Sequence, residues 1–391
     1  MRSGFVFVAA ALFVFTSSGL NGQATPHPRP APDSSSSLAA NHGVGDSLET
    51  TPPLAHLSPA LKRADVAAAM RKVGDWELAR SKPYFSRDWT FAALYAGYMA
   101  AAKAIPDPAY AQAMLSMGNQ FNWTPGPRKA HADDQAVAQT YIELYRDYRG
   151  QRMIIPVIEQ FDQLTSQPDV PGKPVWWWCD ALFMAPPVWA RLYGVTGDKK
   201  YLNYMDKEWW ITSNLLYDPQ EHLYFRDASF LHKHEPNGQK LFWSRGNGWV
   251  MAGLARVLAV MPEKYPTRAK YVEQFQQMAA RVAELQGQDG LWRPGLLDAA
   301  AYPLPENSGS GFFVYALAWG INHKLLDRKK YLPVVEGGWA GLLNHVYEDG
   351  RLGSIQPIGA APGAYTATSS YVYGVGAFLL AGSEVMQLSK K

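Results

Sequence analysis

One cysteine, Cys179, in 391 residues means that no internal disulfide staples this chain, so its stability must come from packing. Charge is scarce as well: Asp, Glu, Lys and Arg make up 18% of the sequence, against the ~25% usual in soluble domains. The formal net charge of +3 is not gathered into a basic cluster, so nucleic acid is not an expected partner. Histidines are few, and His131, His222, His232 and His234 lack the helical two-His spacing of common zinc sites. No Gly-x-Ser-x-Gly elbow is present, and the glycines around Asn247 are not followed by the Gly-Lys-Ser/Thr of a phosphate loop.

Hydrophobic residues reach 47%, enough for a sizeable core, and aromatics 13%, with 14 Trp and 21 Tyr. A core absorbs many such rings. Sugar sites use them too, because the apolar C–H face of a pyranose stacks on a ring.

The N-terminus reads as an address. Arg2, the apolar run from Phe5 to Phe15 and the small residues before Ala24 predict a secretory signal peptide over residues 1–24. That run is too short to span a bilayer, and no cysteine follows it for lipid attachment. The chain is therefore expected to be exported, to periplasm or medium, with no membrane anchor after cleavage. Residues 25–55, rich in Pro, Ser, Ala and Gly, predict a flexible leader, and residues 56–391 a single catalytic domain.

Within that domain apolar residues recur at helical spacing. Segments begin near Ser58, Asp88, Asp107, Ala132, Arg152, Trp178, Asp198, Gly246, Thr267, Gly309, Arg328 and Thr368. Ser58-Pro59, Asp107-Pro108 and Pro266-Thr267 suit helix starts. Strand-like patches are short: Leu223–Phe225, Gly290–Trp292 and Arg351–Gly353. Twelve helices with alternately short and long connections predict an all-α fold, an (α/α)6 barrel of six helical hairpins. An open superhelix would need a regular short repeat, which is missing.

Three constellations carry candidate chemistry. In Trp176-Trp177-Trp178-Cys179-Asp180 an acid opens a helix otherwise built of apolar residues. Burial disfavours its ionised form, making Asp180 a proton donor near neutrality, while a helix cap is the bland alternative. Trp176 and Met184, each four residues away, would share its helical face. His131-Ala132-Asp133-Asp134-Gln135 supplies two acids, one for capping and one as a partner for Asp180. Trp243-Ser244-Arg245-Gly246-Asn247-Gly248-Trp249 offers a planar cation between aromatics, to bind a carboxylate or to pair internally. Glu306–Gly311 reads as a polar loop that capping alone explains.

Together these blocks resemble the unsaturated glycuronyl hydrolases, specifically the rhamnogalacturonyl type, glycoside hydrolase family 105. The likeness covers nearly the whole chain after the leader, resting on Asp134, Trp178–Met184, Trp243–Trp249 and Ser308–Gly311. It implies a six-hairpin barrel that removes the 4,5-unsaturated uronic acid from lyase-generated oligosaccharides of rhamnogalacturonan, pectin or related type. It also implies Asp180 as general acid/base, Asp134 as its assistant, and a pocket built from Trp178, Met184, Trp243, Arg245, Asn247 and Trp249. The implied reaction is hydration of the C4=C5 enol ether, which needs neither metal nor organic cofactor. Arg226 stands where the family often carries a histidine, and is expected to contact the uronate or its neighbour. Three alternatives remain: an inverting glycosidase using Asp180 as acid and Asp134 as base, a non-catalytic sugar-binding protein, and an epimerase, for which no histidine pair is at hand.

Overall fold

The computed structural model describes residues 43–167 and 174–389, together with Met1. The expected signal peptide and the leader up to residue 42 lie outside the described residues.

Local chemistry sets the helix boundaries. Asp88 accepts from Thr90 N at 3.0 Å and opens Trp89–Ala104. Asp198 and Asp327 do the same for Lys199–Leu216 and Arg328–Leu343. Each such cap is worth about 1 kcal/mol. Gly197, at φ 73°, ends Pro186–Thr196 in the left-handed region that favours glycine. Ser58 is different. The first long helix begins later, at Arg63, and the Ser58 hydroxyl instead bonds Asp65 and Ala60 N in the turn before it.

Two expected helices are broken. Trp178 leads to a single turn, Ala181–Met184, because Pro186 and Pro187 restart the helix as Pro186–Thr196. The segment from Ala132 divides likewise into Ala132–Gln135 and Ala138–Tyr148.

Six helices form an inner ring in chain order: Trp89–Ala104, Ala138–Tyr148, Pro186–Thr196, Ser244–Leu258, Asn307–Asn322 and Val372–Leu388, the last packing back on the first. Between them run six outer helices: Arg63–Ser81, Ala109–Gln120, Ile155–Thr165, Lys199–Leu216, Arg268–Glu284 and Arg328–Leu343. Every residue of Ser244–Leu258 is buried, whereas Lys199–Leu216 buries one face only. That contrast separates inner from outer helices. The expected (α/α)6 barrel is the observed architecture. Its closing seam depends on glycine, since a Cβ on Gly97 would lie 2.7 Å from the Gly376 carbonyl oxygen.

Two chain reversals separate successive inner helices, so all six run the same way and open at one mouth. Short strands trim the barrel: Tyr217–Asp218 pairs with Leu223–Tyr224, and Gly45–Asp46 with Ser370–Tyr371. This second pairing corrects the leader boundary. Residues 43–55 are laid against the domain, with Ala55 N donating to Val346 O at 2.9 Å and Arg351 reaching Asp46. Backbone pairing holds them, with Val44 and Ala55 packed against the core. Gly290–Trp292 forms no strand, and Arg351–Gly353 contributes a lone bridge between Leu352 and Val346.

Candidate active site

Trp178 and Cys179 run alongside residues 226–227: Trp178 bridges Asp227, and Cys179 N donates to Arg226 O at 2.8 Å. The backbone then turns into helix at Asp180, with φ −59° and ψ −30°. Asp180 precedes the helical turn, yet its side chain caps nothing. The bland reading of this acid therefore fails. Its carboxylate, 13% exposed, places Oδ2 3.6 Å from Cys179 Sγ and 3.6 Å from Arg226 Nε. Burial raises its pKa, the Arg226 and Arg245 charges oppose this, and burial wins.

Asp134, the expected partner, is placed otherwise. Arg128 N donates to its Oδ2 at 2.7 Å, and Arg128 Nε to its Oδ1 at 3.0 Å. A Cβ on Gly126 would stand 2.6 Å from Asp134 Cβ, so the side chain is folded into its own loop. The acid whose carboxyl feels the charge of Asp180 is its neighbour, Asp133. Burial is the chief cause pushing Asp133 up to about 7, and the charge of Asp180 is the next. Asp88 adds to the effect. Asp88 at the start of Trp89–Ala104, Asp133 in Ala132–Gln135 and Asp180 before Ala181–Met184 thus act on one another through charge. The expected pairing of Asp134 with Asp180 is not seen, because both Asp134 oxygens are taken by Arg128.

Beside these acids lie a cation and aromatic faces. Arg226 spends Nη1 on Asp227 at 2.6 Å and lies 5.5 Å over the Trp177 ring. Trp177 is 47% exposed and stacks obliquely on Trp178, whose other neighbour is the His131 ring at 4.9 Å. His131 Nδ1 accepts from Asp133 N at 3.3 Å, and burial lowers the pKa of this histidine, keeping the ring neutral.

The remaining expected contacts form the floor and wall behind the acids. Arg245, its side chain 1% exposed, gives Nη1 to Gln356 O at 2.6 Å and Nη2 to Pro357 O at 2.7 Å. Its fork is spent on backbone, so it acts on Asp180 through charge and not by clamping a sugar. Trp243 Nε1 donates to Gln356 Oε1, and Glu306 accepts from Gln356 N. Four side chains, counting Tyr373, therefore strap down one residue, Gln356. Asn247 exchanges bonds with Tyr224 N and O, pinning the strand that leads to Arg226. Trp249 packs among Phe183, Phe312 and Trp89, and Met184 is buried, so neither reaches the mouth. Glu306 caps its helix through Ser308 and Gly309 N. A Cβ on Gly309 would come 2.9 Å from Ser244 C, which explains the small residues there.

The opposite mouth carries a cavity of ≈ 290 Å³ lined by Lys103, Glu143, Arg256 and Tyr315. Its chemistry is internal: Glu143 is bonded by Arg191 and Arg256 and paired with Lys103. Among the described residues, no group of three or more His, Cys, Asp or Glu is arranged to hold a metal ion, and no helix is long and apolar enough to cross a membrane.

A buried acid beside a cation at the mouth of a helical barrel can now be compared with known proteins. The profile of Glycosyl Hydrolase Family 88 matches residues 64–389. The chain belongs to that family. A Formosa agariphila protein described as an unsaturated 3S-rhamnoglycuronyl hydrolase is 42% identical over 351 residues, covering 84% of this chain and 93% of the relative. An Alteromonas sp. protein of the same description is 32% identical over 370 residues, covering 88% and 90%. A solved family 88 glycosyl hydrolase from Bacteroides vulgatus superposes with a TM-score of 0.79 at 30% identity, over 83% of this chain and 99% of that one. This family 88 member is a glycosidase that removes a terminal unsaturated uronic acid from oligosaccharides. The readings as an inverting glycosidase on a saturated sugar, a binding protein or an epimerase are set aside.

Proposed function

We propose that this family 88 enzyme releases unsaturated glucuronate from a 3-sulfated rhamnose, with Asp180 as its proton donor and Asp133 as the second acid. The sugar assignment is supported by the two relatives described as 3S-rhamnoglycuronyl hydrolases. The observation that carries the chemistry is the Asp180 carboxyl, buried, unused as a cap and raised in pKa, with a guanidinium at its edge.

The geometry performs the steps as follows. Neutral Asp180 gives its proton to C4 of the enol ether, leaving positive charge shared between C5 and the ring oxygen. Arg226 Nε then faces the newly formed carboxylate. Water adds at C5 and returns a proton to Asp180, restoring the acid. The C5 hemiketal opens by breaking its bond to the ring oxygen, and the resulting hemiacetal at C1 expels the remaining saccharide as an alcohol. Asp133 shares the site's protons and orients the water. Trp177 supplies the face on which the sugar stacks, and Arg226 contacts the uronate carboxylate. We also infer export, supported by Arg2 and the apolar run from Phe5 to Phe15.

The test follows loss of ultraviolet absorbance of the conjugated enol-ether acid. Lyase-made disaccharides would end in 3-sulfated rhamnose, unsulfated rhamnose or a pectin-type galacturonyl partner. The sulfated substrate is expected to turn over with the highest kcat/KM, and Asp180→Asn to abolish turnover. Equal rates on all three would sink the sugar assignment. An active Asp180→Asn would sink the mechanism.

A further inference from the structure

Among the described residues, the one side chain that donates a hydrogen bond to the Asp180 carboxylate is the Cys179 thiol, Sγ to Oδ2 at 3.6 Å. Arg226 Nε stands at the same distance from that oxygen, but makes no hydrogen bond to it. Cys179 is fully buried. Its backbone is fixed by the bond to Arg226 O, and a Cβ on Gly246 would lie 3.0 Å from the sulfur. The thiol is therefore wedged between the first turn of Ser244–Leu258 and the acid. It has nowhere else to point.

From this geometry we propose that Cys179 is a positioning residue for Asp180, its weak S–H donor fixing Oδ2 while leaving the carboxyl ready to hold and release a proton. The proposal rests on the reading of Asp180 as the proton donor. A stronger donor in the same place would favour the carboxylate and spoil the acid, and no donor would leave the oxygen unoriented. Burial also pushes the Cys179 thiol well above its ordinary range, so it keeps its proton and donates throughout. The other groups acting on Asp180 are Arg226, with Asp227 beside it, Arg245 from Ser244–Leu258, and Asp133 from the short helix Ala132–Gln135, itself acted on by Asp88. All of them stay in place when only the sulfur is changed.

Cys179→Ser and Cys179→Ala separate positioning from packing. Across a pH series on the unsaturated disaccharide, the alkaline limb of kcat should move down by about half a unit or more in the serine variant and up in the alanine variant. KM should change less than kcat, because the buried thiol touches no sugar. Unshifted limbs in both variants, or the same shift in both with a common loss of thermal stability, would overturn the proposal. A second readout needs no folded variant at position 179. The chain has a single thiol, so its Raman S–H stretching band reports Cys179 alone. That band should move as Asp180 titrates in the wild-type protein and become pH-independent in Asp180→Asn. A band that ignores pH in both proteins removes the contact. If the band responds in the wild type and not in Asp180→Asn, yet that variant retains activity, the contact stands and the reading of Asp180 as acid fails instead; a band that responds in both overturns the contact.

Discussion

Arg128 holds Asp134 through both its backbone and its guanidinium, and by doing so leaves Asp133 as the acid that feels the charge of Asp180. Two adjacent aspartates thus have opposite duties. Asp133→Asn should cut kcat by about 100-fold or more, the range for loss of an acid–base group, with little change in melting temperature below about pH 4, where Asp133 is protonated in both states. Asp134→Asn should instead cost about 1–3 kcal/mol of stability. Steady-state kinetics and calorimetry on the two variants check this, and the reverse pattern would restore Asp134 as the partner.

Asp133 also predicts a dependence of stability on pH. Its folded pKa is raised from 3.8 to about 7. Below about pH 4 it is protonated in both states, folded and unfolded. Between there and about 7 the unfolded chain has released a proton that the folded chain keeps, so stability falls as pH rises through this window. Asp133→Asn removes that loss. Its melting temperature should gain on the wild type between pH 4.5 and 8, by about 2–4 °C for each kcal/mol recovered. A constant difference across the series would contradict the assignment.

Trp177 is the exposed ring at the mouth, so Trp177→Ala should raise KM about tenfold, equivalent to ~1.4 kcal/mol of lost contact, while kcat changes less. Trp249→Ala, by contrast, empties a site in the core and should cost about 3–5 kcal/mol of stability. Chemical denaturation of both variants distinguishes rim from core.

Arg245→Ala leaves the Pro357 carbonyl without its donor, leaves the Gln356 carbonyl to Tyr373 alone, and removes a buried cation facing Glu306. It should destabilise by about 3–5 kcal/mol. Arg245→Lys lacks the fork that reaches two carbonyls and should recover only part of this. Thermal melts check it. An unaltered melt with a large rise in KM would return Arg245 to the substrate.

These results show which features can be read from sequence. Helical periodicity and segment starts such as Asp88, Asp198 and Arg328 located most inner and outer helices, because those signals are local. The Trp-rich run marked Asp180 for the same reason: an acid among apolar neighbours is visible one residue at a time. Direction was not visible. Whether Asp133 or Asp134 faces the cleft depends on Arg128 and on the tight approach of Gly126, and neither lies within the helical turn itself. The fork of Arg245 suits a sugar carboxylate and a pair of backbone carbonyls equally well, and only the course of residues 356–357 decides between them. Residues 43–55 looked loose by composition because backbone pairing leaves no mark in side chains and only isolated residues, Val44 and Ala55, pack on the core.

The common direction of the six inner helices has an electrical consequence. Each helix start carries about half a positive elementary charge, so six starts at one mouth supply about three. Asp133 and Asp180 lie within that field, which favours their ionised forms and so works against their burial. The barrel therefore joins Arg226 and Arg245 in offsetting the charge of its own acids. Whenever one of them takes up a proton, the balance tips positive, and the mouth is ready to draw in an anionic sugar.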